Sequence, residues 1–229
     1  ARQTVGDLHY LDGDSATRAQ EVLQRAEIRD HVRGTAPRLL ASGLISSAAN
    51  STGVQIVGGV ADREKGLALL PEKITSGTFL TASGRTPPAV IGSGLAEKLG
   101  VGLGSKIVLM TQAGTEIQSQ LLRVGGILST GMGEVDRRLV AVRLQDLQSM
   151  IQRPGAISHL AVFLDSSERS GSMREVIAED LRESFETEPP SVLTWRQAMP
   201  ELDQFIVVDD AGNYLFNGVL LFMVSLGVL

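Results

Sequence analysis

The stretch that decides how this chain is organised is Ala89-Val90-Ile91-Gly92-Ser93-Gly94-Leu95-Ala96-Glu97-Lys98-Leu99-Gly100-Val101-Gly102-Leu103-Gly104-Ser105-Lys106-Ile107-Val108-Leu109-Met110-Thr111. Residues 89–91 read as a short strand. Residues 93–99 read as a short helix, with Gly100 as the stop that favours a left-handed cap. Gly102 and Gly104 lead into a strand over residues 106–111. Ala113-Gly114-Thr115 turns it back into residues 117–128. Gly131 and Gly133 then mark a loop before a strand at residues 138–142. The block 82–142 therefore predicts a compact unit of short, glycine-bounded strands.

The flanks have another texture. Residues 5–10 alternate weakly and predict a first strand. Val22, Leu23, Ala26, Ile28 and Val32 recur at helical spacing up to Gly34. Residues 38–49 predict a long strand, and Asn50-Ser51-Thr52-Gly53 a turn into residues 54–60. A helix follows Asp62 and stops at Pro71. Residues 74–80 predict a loop. Beyond the block, residues 144–151 predict a helix and residues 158–164 a strand. Met173, Val176, Ile177, Leu181 and Phe185 predict an amphipathic helix over residues 172–185. Residues 191–194 predict a last strand and residues 195–208 an exit helix. The expected fold class is α+β with two subdomains. Residues 1–81 and 143–208 form an α/β part from both flanks, and residues 82–142 a strand-rich insert.

From Tyr214 the chain reads Tyr-Leu-Phe-Asn-Gly-Val-Leu-Leu-Phe-Met-Val-Ser-Leu-Gly-Val-Leu, and no charge follows Asp210. A bilayer core takes about 20 mostly apolar residues as a helix. Residues 209–229 are expected to be the start of a transmembrane helix, with Asp209 and Asp210 as its polar edge. A buried C-terminal core helix presents the same pattern.

Composition removes several function classes. The net charge is −5. A nucleic-acid binder needs a surplus of Lys and Arg to neutralise phosphates. Aromatic residues make up 4% of the chain, too few for base-stacking platforms. There is no Cys, which excludes thiol catalysis, disulfides and Cys-based zinc sites. His9, His31 and His159 lack metal-ligand spacing.

Other motifs fail on context. Gly100, Gly102 and Gly104 follow a helix and open a strand, the reverse of a dinucleotide fingerprint. Gly92-Ser93-Gly94 is too short for a nucleophile elbow. Asp12 and Asp14 read as turn chemistry. Glu134 and Asp136, two apart on a strand, would face the same way as a candidate acid pair.

In order along the chain, three segments carry a resemblance: residues 54–60 (Val-Gln-Ile-Val-Gly-Gly-Val), residues 74–80 (Ile-Thr-Ser-Gly-Thr-Phe-Leu) and residues 90–104. Further matches are Arg123-Val124-Gly125-Gly126-Ile127-Leu128, Thr130-Gly131 with Glu134 and Asp136, residues 140–147, and Thr194-Trp195. Together they resemble the periplasmic domain of FtsX-like ABC permeases, the group of MacB, LolC and LolE.

The resemblance implies a place in the inner membrane, with this domain on the periplasmic side between two transmembrane helices. Residue 1 would follow the first helix, and Ala211 would begin the second. It implies no catalytic, cofactor or metal residue, because a separate nucleotide-binding subunit or domain hydrolyses ATP. Implied partners are that ABC ATPase, a second permease copy or paralogue, and a lipoprotein, lipoprotein chaperone or efflux adaptor. Tyr10, Leu11 and residues 195–208 would connect the domain to the membrane. LolC carries a longer, Pro-containing hook where this chain has only residues 112–119 without proline, so the chain resembles LolE, MacB or an unassigned member of the group more than LolC. An unrecognised membrane-anchored enzyme or binding domain is the competing class.

The candidate contact site is the loop Thr130, Gly131, Met132, Gly133 and Glu134. Met132, between two glycines, would be an apolar tip far from the membrane. An ordinary loop with Met132 tucked inward is the other reading.

Overall fold

Near the N-terminus, where alternation predicts one strand, two are found. β1 (Gln3–Val5) and β2 (Leu8–Tyr10) pair antiparallel in a sheet of their own. The computed structural model describes residues 3–5, 8–11, 13–81, 85–185, 189–194 and 197. α1 (Gly13–Val22) and α2 (Ala26–Arg29) follow. The helical spacing does not persist to Gly34. β3 (Val32–Ser46) already begins at Val32, and Gly34 lies inside it opposite Phe163. A turn closed by the Ser47 N–H to the Asn50 carbonyl leads into β4 (Ser51–Gly59).

α3 (Ala61–Glu64) and α4 (Leu69–Glu72) replace the single helix expected after Asp62. Pro71 sits in the first turn of α4, where its missing N–H costs little. β5 (Ile74–Gly77) forms where a loop is expected, because it pairs antiparallel with a distant strand. The decisive stretch forms as read. It gives β6 (Pro88–Gly92), then α5 (Ser93–Leu99), then β7 (Lys106–Ala113). Gly100 caps α5 at φ 65°, a conformation that favours glycine, and its N–H reaches the Ala96 and Glu97 carbonyls.

β8 (Glu116–Leu128), α6 (Gly133–Asp136), β9 (Leu139–Arg143) and α7 (Leu144–Met150) come next. β10 (His159–Leu164) and α8 (Ser170–Ser184) complete the described elements. Residues 191–194 form no strand. The expected exit helix, Gln197 apart, and the apolar run from residue 209 lie outside the described residues. Among the described residues, no helix is long and apolar enough to cross a membrane.

The main sheet has eight strands. The path β3–β4–β9–β6–β8–β7 returns to β3, because β7 pairs both β8 and β3. Six strands thus close a barrel. β3 extends beyond it, where β10 pairs β3, and β5 adds to β8 along residues 126–128, which also pair β6. Closure leaves those six strands without a bare edge.

Alternating side chains fill the interior. Leu39, Ala41 and Ile45 of β3 meet Val54 and Ile56 of β4, Ile107 and Leu109 of β7, and Leu122 and Val124 of β8. Leu95 and Leu99 of α5 and Leu147 and Met150 of α7 pack against this core. β6 and β9 are buried on both faces. Ile91 and Val140 face the barrel core, while Val90, Leu139 and Ala141 join Leu80 and Leu128 outside it. Such strands lose the polar alternation and read as continuous apolar runs. Each fully buried aliphatic side chain stabilises the fold by about 1.5–3 kcal/mol.

A separate core lies beside the projecting half of β3. Ala19, Val22 and Leu23 pack with Ile28 against Met173, Ile177 and Leu181 of α8. Val32, Leu160, Val162 and Leu164 form the sheet side of this helical layer. Arg25 pairs Asp180 at 2.9 Å between the two helical segments.

The α+β content matches the expectation, but the texture change at residues 82 and 142 is not a break in the sheet. Residues 82–142 supply β6 to β9. β9 pairs β4 and β7 pairs β3, so the strands from both sides of residue 82 share one core. The flanks meet where β10 pairs β3, antiparallel. Glycine-rich texture records tight turns, whereas strand partners are chosen by contacts distant in sequence, on which local texture is silent.

Candidate functional site

The loop singled out by the sequence leaves β8 at one end of the barrel. Strand register puts it at the end that carries the Ser47–Asn50 turn, since β9 runs parallel to β4 from that end. α5 reaches the same end: its Leu99 and Lys98 carbonyls accept bonds from Ser47 Oγ and Asn50 Nδ2. The helical layer lies at the opposite end, along the first half of β3.

One carboxylate organises the loop. Asp136 is 4% exposed. Its Oδ1 accepts the Thr130 backbone N–H at 2.9 Å and the Thr130 hydroxyl at 2.8 Å. Its Oδ2 accepts the Ser129 hydroxyl at 3.1 Å. Thr130 Oγ1 in turn accepts the Met132 N–H at 3.2 Å. Burial raises the Asp136 pKa. The donors from Thr130, Ser129 and Gly131 lower it by more, and hold the carboxyl below its ordinary value. A carboxylate so saturated with donors is a poor proton acceptor and a good brace.

Glu134 and Asp136 therefore do not form an acid pair. They lie on α6 rather than on a strand, and their side chains diverge. Glu134 is solvated and pairs Arg138 at 2.9 Å and Arg137 at 3.7 Å. Exposed pairs of this kind contribute about 0–1 kcal/mol. Met132 and Val135 are each 38% exposed, two apolar side chains on the rim beside the charged cluster. An open depression of about 210 Å³ lies beside Val135, lined by Gln55, Glu134, Val135, Arg138 and Leu139. Small-molecule pockets run larger, at about 300–1,000 Å³. The arrangement suits surface contact and holds no nucleophile with an adjacent base.

The remaining candidates are structural. Gly100 is a helix cap, and Gly104 donates its N–H to the Val124 carbonyl in the turn before β7. His31 lies 3.4 Å from Asp165 and 3.1 Å from Arg169 at the surface. His159 is half-buried beside Arg38 and Glu64. Among the described residues, no three His, Asp or Glu side chains converge as a metal site. β7 and β8 run to a tight turn at Gly114 and Thr115, so no hook projects there. Leu11, an expected connection to the membrane, is bonded to Ile157 in both directions, at 2.7 and 3.1 Å. Sequence reading missed the part-buried Arg38–Glu64 pair, since nothing in the local pattern of either residue points to the other.

The chain belongs to the family of MacB-like periplasmic core domains, whose model matches residues 3–180. It is a periplasmic domain of the kind found in MacB- and LolC-type ABC transporter permeases.

The lipoprotein-releasing system transmembrane protein LolC of Neisseria meningitidis serogroup B is 26% identical over 164 residues, covering 69% of this chain and 39% of that protein. LolC of Xylella fastidiosa is 24% identical over 142 residues, covering 59% and 34%. The chain thus spans well under half the length of these curated relatives. Both are LolC proteins, so they lend no support to a greater likeness to LolE or MacB. The extracellular domain of the noncanonic ABC-type transporter YknZ from Gram-positive bacteria superposes with a TM-score of 0.54 at 17% identity, covering 77% of this chain and 87% of that domain. At that identity the likeness is one of fold.

Proposed function

We propose that this domain couples ATP hydrolysis in a cytoplasmic ATPase to lipoprotein release or substrate efflux, by moving against a second permease copy or paralogue. The observation that carries this reading is the family match over residues 3–180. The LolC relatives, whose names specify lipoprotein release, favour that cargo class. The permease lies in the inner membrane. The helical layer, built from the flanks 1–81 and 143–208, is the membrane-proximal part, the rim within residues 82–142 lies away from the membrane, and residues 209–229 begin a transmembrane helix.

The rim formed by Thr130, Gly131, Met132, Gly133 and Glu134 touches a partner: a lipoprotein, its chaperone or an efflux adaptor. Its support is the pair of exposed apolar side chains on a backbone braced by Asp136. A braced loop keeps its shape before contact, which lowers the ordering cost of binding.

The test uses the intact permease assembled with its ATPase in lipid. A probe at Thr115, on the exposed β7–β8 turn, reports the distance between two copies. That distance is expected to change when ATP is added and to return after hydrolysis. An unchanged distance during ATP turnover overturns the reading.

A further inference from the structure

The barrel and the helical layer have separate hydrophobic cores that share no residue. β3 runs through both, and Arg38 stands where it changes partners. Arg38 lies opposite His159 of β10, and the next residue, Leu39, lies opposite Gly58 of β4. The Arg38 guanidinium donates Nε to Glu64 Oε1 at 2.7 Å and Nη2 to Oε2 at 2.6 Å. Glu64 is 2% exposed and belongs to α3, which follows β4 directly. The same guanidinium lies 5.9 Å from the centre of the Phe163 ring on β10. Three elements meet at this one cation: β3, α3, whose Ala61 packs on the apolar cluster at the barrel's outer face, and β10 of the helical layer.

Two other polar residues are buried among the described ones, and neither spans the seam. Thr111 bonds the Ser42 carbonyl inside the barrel, and Asp136 braces its own loop.

We propose that the Arg38–Glu64 pair is the joint that makes the barrel and the helical layer move as one body. Apolar contacts tolerate sliding, whereas a two-pronged guanidinium–carboxylate contact fixes both distance and angle. Glu64 is withdrawn from water and Arg38 only in part, at 22% side-chain exposure, and the cost of that desolvation offsets much of their attraction, so the pair contributes defined geometry more than stability. The inference rests on the coupling reading above: if the domain moves against a second copy, stiffness between the helical layer and the barrel carries that motion from one end to the other.

The chain has no Cys, so Glu97→Cys on α5 and Glu175→Cys on α8 introduce its only two thiols for spin labels. In the 229-residue chain the label-to-label distance distribution should be narrow. In the added double variant Arg38→Met, Glu64→Leu it should broaden while the cooperative unfolding transition is kept. Arg38→Lys, which keeps the charge and loses the fork, should broaden it as well. An unchanged width in the folded double variant overturns the proposal. A double variant that no longer folds also overturns it, because the pair would then be a stability element and not a joint. The measurement needs neither ATP nor cargo, so its failure leaves the transport reading standing. Failure of the ATP-driven test in turn leaves the joint standing.

Discussion

Gly92 lies against the backbone carbonyl of Asp136, so closely that a β-carbon on Gly92 would overlap the oxygen. This contact seats α6 on the end of β6. It fixes the position of the carboxylate that braces the candidate rim. The glycine in the Gly92-Ser93-Gly94 run is thus required by close packing and not by chemistry.

Gly92→Ala should destabilise the domain by about 1–3 kcal/mol, the cost of overpacking where backbone cannot retreat. Gly102→Ala is the control, since no heavy atom lies within 4 Å of a β-carbon there. Urea denaturation of both variants checks the pair. Equal midpoints would reject the packing argument.

Asp136→Asn should cost about 1–3 kcal/mol, because it weakens hydrogen bonds made to a charged, buried acceptor. The folded-state pKa of Asp136 lies below its unfolded value. Its contribution is therefore complete above the unfolded pKa of about 4 and is lost as pH falls through the folded value. The stability gap between wild type and Asp136→Asn should close on acidification. Chemical denaturation at stepwise lower pH tests this, and a constant gap counts against it.

His159 predicts a second pH dependence. Burial pushes its pKa down first, the Arg38 cation adds to that, and the Glu64 carboxylate opposes both. The unfolded chain then binds more protons just below its own pKa of about 6.5, so stability is lost as pH falls from there through the folded value. His159→Gln should flatten this part of the profile. A profile that keeps its slope in the variant would assign the effect elsewhere.

Met132→Asp should impair transport by the intact permease. Its effect on the stability of the domain should stay within about 0.5 kcal/mol, as for surface substitutions generally. Unaltered transport would show that the rim makes no contact that matters.

Local signals carried much of the element map. The segment from β6 through α5 to the β7–β8 turn was legible because each boundary has its own chemistry: Gly100 as a left-handed cap and Gly114 as a turn residue. The candidate rim was legible through Met132, whose two flanking glycines announce a loop. β5 was not legible, because its four residues carry no strand pattern and form a strand only through residues 126–128. The brace on Asp136 was misread for a related reason. Residues two apart share a face on a strand but diverge on a helix, and α6 is a helix.

The sequence by itself determined the α+β content, most of the turns and the family, since these follow from local spacing and residue order. Tertiary structure alone decided that the strands of residues 82–142 join β3 and β4 in a closed barrel, and that Arg38 meets Glu64 at the seam. Closure depends on β7 pairing two strands at once, and the ion pair depends on the point where β3 changes partners. Neither is written into a window of neighbouring residues. Both are settled by which arrangement buries the most apolar surface while leaving buried polar groups paired.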